Sequence, residues 1–165
     1  MQVPPKVVTL DRLLAFRERW REEGKTVVWT NGCFDLFHIG HLHSLRAARR
    51  LGDILVVGVN SDASIARLKG ATRPIVPEAE RAEIVAALED VDCAVVFDDA
   101  TPERILADFR PDIHCKGEDY APPHGKPVPE APVVASYGGR IAYLPLVPSV
   151  STTSRVRRIR ELPPE

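Results

Sequence analysis

Apolar residues return at helical intervals from the start of the chain: Leu10, Leu13, Leu14 and Trp20 fall on one side, Arg and Glu fill the other, and Gly24 ends the pattern. This predicts an amphipathic leading helix within residues 1–24. The period then shortens. Runs rich in β-branched and apolar residues at Val27 to Thr30, Ile54 to Val59, Cys93 to Phe97, Ile113 to Cys115 and Arg140 to Leu144 read as buried strands. Helical spacing separates them, marked by Leu42, Leu45 and Ala48, then by Ile84, Val85 and Leu88, then by a third helix that Pro102 opens by fixing φ in the first turn. Alternation of this kind predicts an α/β fold, a Rossmann-like doubly wound parallel sheet of about five strands with helices on both faces. Gly70 to Pro77 and the Pro-rich Tyr120 to Pro132 break the alternation and are expected to be loops, which in such sheets carry ligand chemistry at the carboxyl edge. Residues 162–165 are expected to fray.

Composition narrows the class. A chain of 165 residues, 44% hydrophobic and 27% charged, suits a single globular domain able to bury its own core. No apolar run approaches the roughly 18 residues of a membrane span. Met1 to Lys6 holds two prolines and a lysine rather than a charged stretch leading into an apolar core, so a secretion signal is not expected and a cytoplasmic location is. Cys33, Cys93 and Cys115 are too few and too far apart for a zinc site or a disulfide framework and are read as buried thiols. A net charge of -1 excludes a general attraction to nucleic acid or an anionic membrane, so any phosphate binding must be local.

The segment with most chemistry is Thr30-Asn31-Gly32-Cys33-Phe34-Asp35-Leu36-Phe37-His38-Ile39-Gly40-His41, which leaves a strand and enters a helix. Gly32 lets the chain bend and lets backbone amides approach a ligand; Gly40 keeps the helix entrance clear of side-chain bulk. His38 and His41, three residues apart, project to the same side of the first turn, where free N–H groups and the helix dipole favour an anion. In nucleotidyl transfer the attacking and leaving oxygens lie in line across the α-phosphate and charge gathers on its equatorial oxygens, which neutral imidazoles can stabilise as donors. The competing view is a pair of surface histidines capping a helix.

Other polar groups follow the same strand-to-helix positions. Asn60, Ser61 and Asp62 precede a helix, so Ser61 or Asp62 serves as an N-cap, a ligand contact, or both. Lys69 and Arg73 flank Gly70 in a polar loop and offer cations to a phosphorylated substrate, against the alternative of solvated charge. Arg81, with Glu78 and Glu80 near it in sequence, is either a substrate contact or half of a structural ion pair. Ser151 to Ser154 begin a last helix, where hydroxyls and free amides can hold the β- and γ-phosphates or simply cap it. Lys116, beyond Cys115, neutralises the triphosphate or meets a base edge.

These blocks, in this order, resemble the nucleotidyltransferase superfamily with the His-x-Gly-His signature, from Val27 to Ile159. Thr30-Asn31-Gly32, Val59-Asn60-Ser61-Asp62, Arg67-Leu68-Lys69-Gly70, Arg73-Pro74, Lys116-Gly117-Glu118-Asp119-Tyr120 and Ser151-Thr152-Thr153 are most similar to bacterial D-glycero-β-D-manno-heptose 1-phosphate adenylyltransferases. The resemblance implies AMP transfer from ATP to a sugar 1-phosphate with loss of pyrophosphate. It implies catalytic roles for His38, His41 and Lys69. It implies nucleotide binding by Thr30, Asn31, Gly32, Phe34, Gly40, His41, Lys116, Ser151, Thr152 and Thr153, and acceptor binding by Asp35, Asn60, Asp62, Lys69, Arg73 and Arg81. Mg²⁺ is expected to arrive with ATP, held by phosphate oxygens and water, and no protein metal ligand is named. A homodimer or larger homo-oligomer is the expected assembly. Many relatives are joined to a sugar kinase, which these residues lack, so a separate kinase is expected to supply the acceptor.

Four other readings fit the sequence less well. A glycerol 3-phosphate cytidylyltransferase would carry Arg-Thr-Glu ahead of its last Ser-Thr block, where this chain has only Ser149-Val150-Ser151-Thr152. A pantetheine-phosphate adenylyltransferase usually has Pro at the place of Leu36. An inactive nucleotide-binding regulatory module fits poorly with an intact His38 and His41. A tRNA-charging enzyme is disfavoured by the short chain and the lack of a basic face.

Overall fold

Five parallel strands lie in the order β3-β2-β1-β4-β5, formed by β1 (Val27–Gly32), β2 (Ile54–Asn60), β3 (Cys93–Phe97), β4 (Ile113–Gly117) and β5 (Arg140–Leu144). The structure is a computed structural model that describes residues 5–163. Residues 1–6, where no secretion signal is expected, fall mostly outside the described residues, as do the last two of the tail expected to fray. Each strand alternates its side chains between two apolar layers. Val28, Leu55, Val57, Val59, Ala94, Ile113 and Cys115 face helices α2 (Ile39–Arg49) and α4 (Glu78–Ala86). Val27, Trp29, Val56, Cys93 and Val95 face α1 (Leu10–Glu22), α5 (Glu103–Phe109) and α6 (Ala131–Ser136). The doubly wound sheet with helices on both faces is as expected, and every strand lies where the apolar runs placed it.

The helices show where the sequence pattern misleads. The leading helix is present, capped by Thr9, but Arg17 lies on its buried side with Leu13 and Trp20. Arg17 is held there by the Arg110 carbonyl and by Asp112, 3.1 Å away. In α4 the buried side is Arg81, Ala82, Val85 and Ala86, whereas Ile84, expected to mark the core, is 46% exposed. Between β2 and α4 stands α3 (Asp62–Lys69), and Gly70 to Pro77 is a loop as expected. The Pro-rich segment is not a loop throughout: a 3₁₀ turn (Glu118–Tyr120) precedes it and α6 begins at Ala131. Pro132 sits in the first turn of α6, where its missing N–H has no partner to lose. A last helix, α7 (Thr152–Arg160), ends the fold, with Leu162 beyond it exposed. No described helix is long and apolar enough to cross a membrane.

The order reverses between β1 and β4, because β2 and β3 extend to one side of β1 and β4 and β5 to the other. Side chains and loops at the carboxyl ends can enter a crevice at such a point. Here β1 pairs with β4 at Val28–Ile113 and Trp29–His114 only, while β1 pairs with β2 along its whole length. Beyond Trp29 and His114 the two strands separate, and Thr30 to Gly32 and Cys115 to Gly117 face each other across a cavity of about 710 Å³.

Candidate active site

Phe34 and Leu36 make the turn after β1, both with φ of +51°, a left-handed conformation that non-glycine residues adopt only under constraint. The sharp bend was expected of Gly32; Gly32 instead gives room, since a Cβ there would come within 3.2 Å of the Phe34 ring. Phe34 folds back into the core, 7% exposed, and meets the edge of the His41 ring at 5.3 Å. Phe37 lies at the same distance from His41.

His38 and His41 stack, with ring centroids 3.8 Å apart and planes 16° from parallel. The Gly40 amide donates to His38 Nδ1 at 3.1 Å, and the His38 amide donates to His41 Nδ1 at 3.4 Å. Since a backbone N–H can only donate, both Nδ1 atoms are acceptors and each neutral ring carries its proton on Nε2. The two views of this pair therefore coexist: the Nδ1 sides cap α2 and the Nε2 sides remain for a ligand. Gly40 suits this arrangement, because a Cβ there would press on the His38 ring at 3.0 Å and push it out of place. Burial, then the charges of His38 and Lys69, pushes His41 down to about 4; burial and the Arg155 charge lower His38. Both rings are thus neutral N–H donors at pH 7.

The expected acceptor residues divide sharply. The Asp35 carboxylate is buried and accepts from the amides of Ile75 at 3.1 Å and Val76 at 3.0 Å and from Arg73 Nε at 2.8 Å. Arg73 Nη2 comes within 2.6 Å of the same carboxylate without the alignment of a hydrogen bond. Burial alone would raise Asp35, but the two amides and the guanidinium outweigh it and hold the carboxyl below its ordinary value. Asp35 and Arg73, both expected at the acceptor, pair with each other and clamp the 70–77 loop onto the turn after β1. Thr152 Oγ1 donates to the Asp35 carbonyl at 2.8 Å and adds the start of α7 to the same junction.

Arg81, 1% exposed, is likewise committed: it donates to the carbonyls of Val76, Cys33 and Asn60 and, at 2.7 Å, to Asp62. The expected ion pair is real, but with Asp62 in place of Glu78 or Glu80. Glu78 accepts from the Asp62 amide. Ser61 caps α3, and Asn60 donates to Ser64 at 3.0 Å while lining the cavity. Lys69 stands apart from these, exposed at the end of α3 and near enough to His41 to depress its basicity.

At the start of α7, Ser151 and Ser154 bond each other's amides in a reciprocal cap. With Thr152 tied to Asp35, Thr153 and the amides of Thr152 and Thr153 are left without a partner among the described residues. Lys116 pairs with Glu130, a residue with no sequence signal of its own, and stands 4.7 Å over the Tyr120 ring. Thr30, Asn31, Gly32, Phe34, His41, Asn60 and Lys116 share the cavity wall. Of the thiols, Cys93 and Cys115 are buried, and burial pushes them up to about 11 and about 12; Cys33 is only half-buried, contrary to expectation. Among the described residues no group of three metal-ligating side chains forms.

The profile of the cytidylyltransferase-like family matches residues 29–158, which takes in both histidines, the cavity wall and the start of α7. The chain belongs to that family. This nucleotidyltransferase is 55% identical over 139 residues to the bifunctional protein HldE of Syntrophotalea carbinolica, covering 84% of the chain and 28% of the relative. It is 49% identical over 155 residues to the HldE of Geotalea uraniireducens, covering 94% of the chain and 31% of the relative. The chain thus spans about three-tenths of the length of these relatives. A solved lipopolysaccharide core biosynthesis protein from Thermoplasma volcanium superposes with a TM-score of 0.59 at 30% identity, over 75% of this chain and 98% of that one. A pantoate-β-alanine ligase from Francisella tularensis, at 15% identity and a TM-score of 0.62 over 92% and 72% of the two chains, shares the fold alone.

Proposed function

We propose that this nucleotidyltransferase moves AMP from ATP to a sugar 1-phosphate, D-glycero-β-D-manno-heptose 1-phosphate, in the making of an ADP-heptose for lipopolysaccharide. The observation that carries the transfer chemistry is the stacked histidine pair with both Nδ1 atoms bound by backbone amides. Both neutral rings keep an Nε2–H to donate, and His41 lines the cavity, which suits the pair to the equatorial oxygens of the α-phosphate. An oxygen of the acceptor phosphate attacks the α-phosphorus, the bond to the β-phosphate bridging oxygen breaks, and pyrophosphate leaves with the electron pair. Lys69 adds positive charge beside His41. The free amides of Thr152 and Thr153 at the start of α7 hold the leaving phosphates. ATP enters as its magnesium complex, with the ion on phosphate oxygens and water.

The HldE relatives and the lipopolysaccharide core protein support the sugar acceptor and ATP; the family's description leaves a cytidylyltransferase of the glycerol 3-phosphate type as the second reading. A sugar kinase supplies the acceptor. Thermal-shift titration separates the nucleotides, since a ligand at about 100 times its Kd adds about 2.7 kcal/mol of stability. ATP is expected to raise the melting temperature; a rise with CTP alone would reverse the assignment.

A further inference from the structure

A second cavity, of about 430 Å³, opens at the amino edge of the sheet, the end away from the histidines. Asp112 and Gly139, the residues just before β4 and β5, stand in its wall with Arg17 and Arg21 of α1 and with Arg110 from the end of α5. Its volume falls in the range of small-ligand sites, roughly 300–1,000 Å³. None of the residues given above to the nucleotide or the acceptor lines it.

The wall holds more positive charge than it answers. Three guanidinium groups and one carboxylate line it, which leaves two positive charges. Both oxygens of Asp112 are engaged, Oδ1 by Arg17 Nη2 at 3.1 Å and Oδ2 by the Val27 amide at 2.7 Å. Arg17 is 5% exposed, and its Nε and Nη2 donate to the Arg110 carbonyl at 3.1 and 2.9 Å. These bonds fix the plane of the guanidinium, while Nη1, without a partner among the described residues, stays open to solvent. Arg21 gives only Nη1, to Glu18 outside the cavity wall, and Arg110 gives only Nε, to the Ala107 carbonyl. Arg17 and Arg21 lie one turn apart on α1, where like charges repel. An anion with several oxygens relieves that repulsion and takes up the donors left over, and planar guanidinium forks match phosphate geometry. A phosphate monoester carries about -1.5 to -2 at pH 7, which balances the wall. Gly138 and Gly139 bring no side chain, and Tyr137 contributes ring carbon rather than its buried hydroxyl, so the organic part of such a molecule finds room beside the arginines.

We propose that this cavity is a second ligand site, separate from the site of nucleotidyl transfer, which binds a small phosphate monoester through Arg17, Arg21 and Arg110. Titration of the full chain followed by amide NMR reads the two ends of the sheet apart: Gly138 and Gly139 report this cavity and Gly40 reports the histidine pair. Glucose 6-phosphate, inorganic phosphate and glucose serve as probes. Glucose 6-phosphate is expected to shift Gly138 and Gly139 saturably, inorganic phosphate to do so more weakly, and glucose to leave both in place. The double variant Arg21→Gln, Arg110→Gln alters two exposed side chains and keeps the carbonyl that holds Arg17. It is expected to weaken binding at Gly138 and Gly139 about tenfold or more and to leave any response of Gly40 unchanged. If that variant does not fold, Arg21→Gln alone, expected to weaken binding about threefold, is read in the same way. Shifts at Gly138 and Gly139 that never saturate, or that saturate equally in native protein and variant, would make the arginines ordinary surface charge and overturn the proposal. Glucose binding as tightly as its phosphate would overturn it too, since the arginines would then have no part in recognition.

Discussion

The segments that follow β1 and β2 both hold polar residues expected at the site, yet they use them in opposite ways. After β1, His38 and His41 bind backbone through one nitrogen each and keep the other for a ligand. After β2, Asp62 and Arg81 meet each other, and Arg73 is taken up by Asp35 from the first segment. Only Lys69 among the expected phosphate-binding cations of that second segment stays exposed without a described ion pair. The two arginines tie the 70–77 loop, α4 and the turn after β1 together, while the histidines and Lys69 keep a donor free.

Arg81→Ala should break this contrast most severely. Removing it strands three carbonyls and the Asp62 carboxylate, and breaking such a buried arrangement costs about 3–5 kcal/mol of stability. Chemical denaturation that shows less than about 1 kcal/mol would return Arg81 to the substrate. His38→Ala or His41→Ala should do the reverse, lowering kcat by about 10²-fold or more, roughly 2.7 kcal/mol of barrier, at the cost of only about 1 kcal/mol of stability from the weakened cap of α2. Near-normal turnover in the double variant would remove the histidines from the mechanism.

Lys69 and Arg73 sharpen the comparison within a single loop. Lys69→Ala should lower kcat/KM for the acceptor about tenfold with stability unchanged. Arg73→Ala should cost about 1–3 kcal/mol of stability by leaving the Asp35 carboxylate short of a partner. Equal kinetic effects with equal stability would show that both touch substrate.

The effect that is smallest at neutral pH concerns acid, since it sets in only below about pH 6.5. His114 is fully buried with neither ring nitrogen partnered, and burial, then the Lys116 charge, pushes it down to about 3 from 6.5. A group that binds fewer protons folded than unfolded loses stability as pH falls below its unfolded value. His114 therefore weakens the fold progressively from about 6.5 to about 3, and His41 does so down to about 4, each by about 1.4 kcal/mol per pH unit. His114→Leu should flatten this limb in pH-dependent denaturation; an unchanged limb would mean that another group titrates there. Asp35, held low, adds its loss only below the ordinary carboxylate range.

The strands were legible because a parallel sheet covered on both faces needs continuous apolar runs, and helix α2 because its cap and glycines are local signals. Ile84 misled because spacing does not tell which of two adjacent apolar residues faces the sheet. The start of α6 was hidden by prolines that disrupt a helix interior but fit its first turn. The partners of Arg73, Arg81 and Lys116 were not legible at all. Asp35 lies 38 residues from Arg73 and Asp62 lies 19 from Arg81, and only the fold brings them together. Glu130 was missed for the same reason, since nothing near it in sequence marks a buried carboxylate.

The proposed reaction is the transfer of AMP to a sugar 1-phosphate. The direct measurement is to supply each of the four nucleoside triphosphates with D-glycero-β-D-manno-heptose 1-phosphate or glycerol 3-phosphate, and to follow pyrophosphate release and product mass. ATP with the heptose phosphate should give ADP-heptose and equimolar pyrophosphate faster than any other pair. Fastest turnover with CTP and glycerol 3-phosphate, with ATP inert, would contradict it.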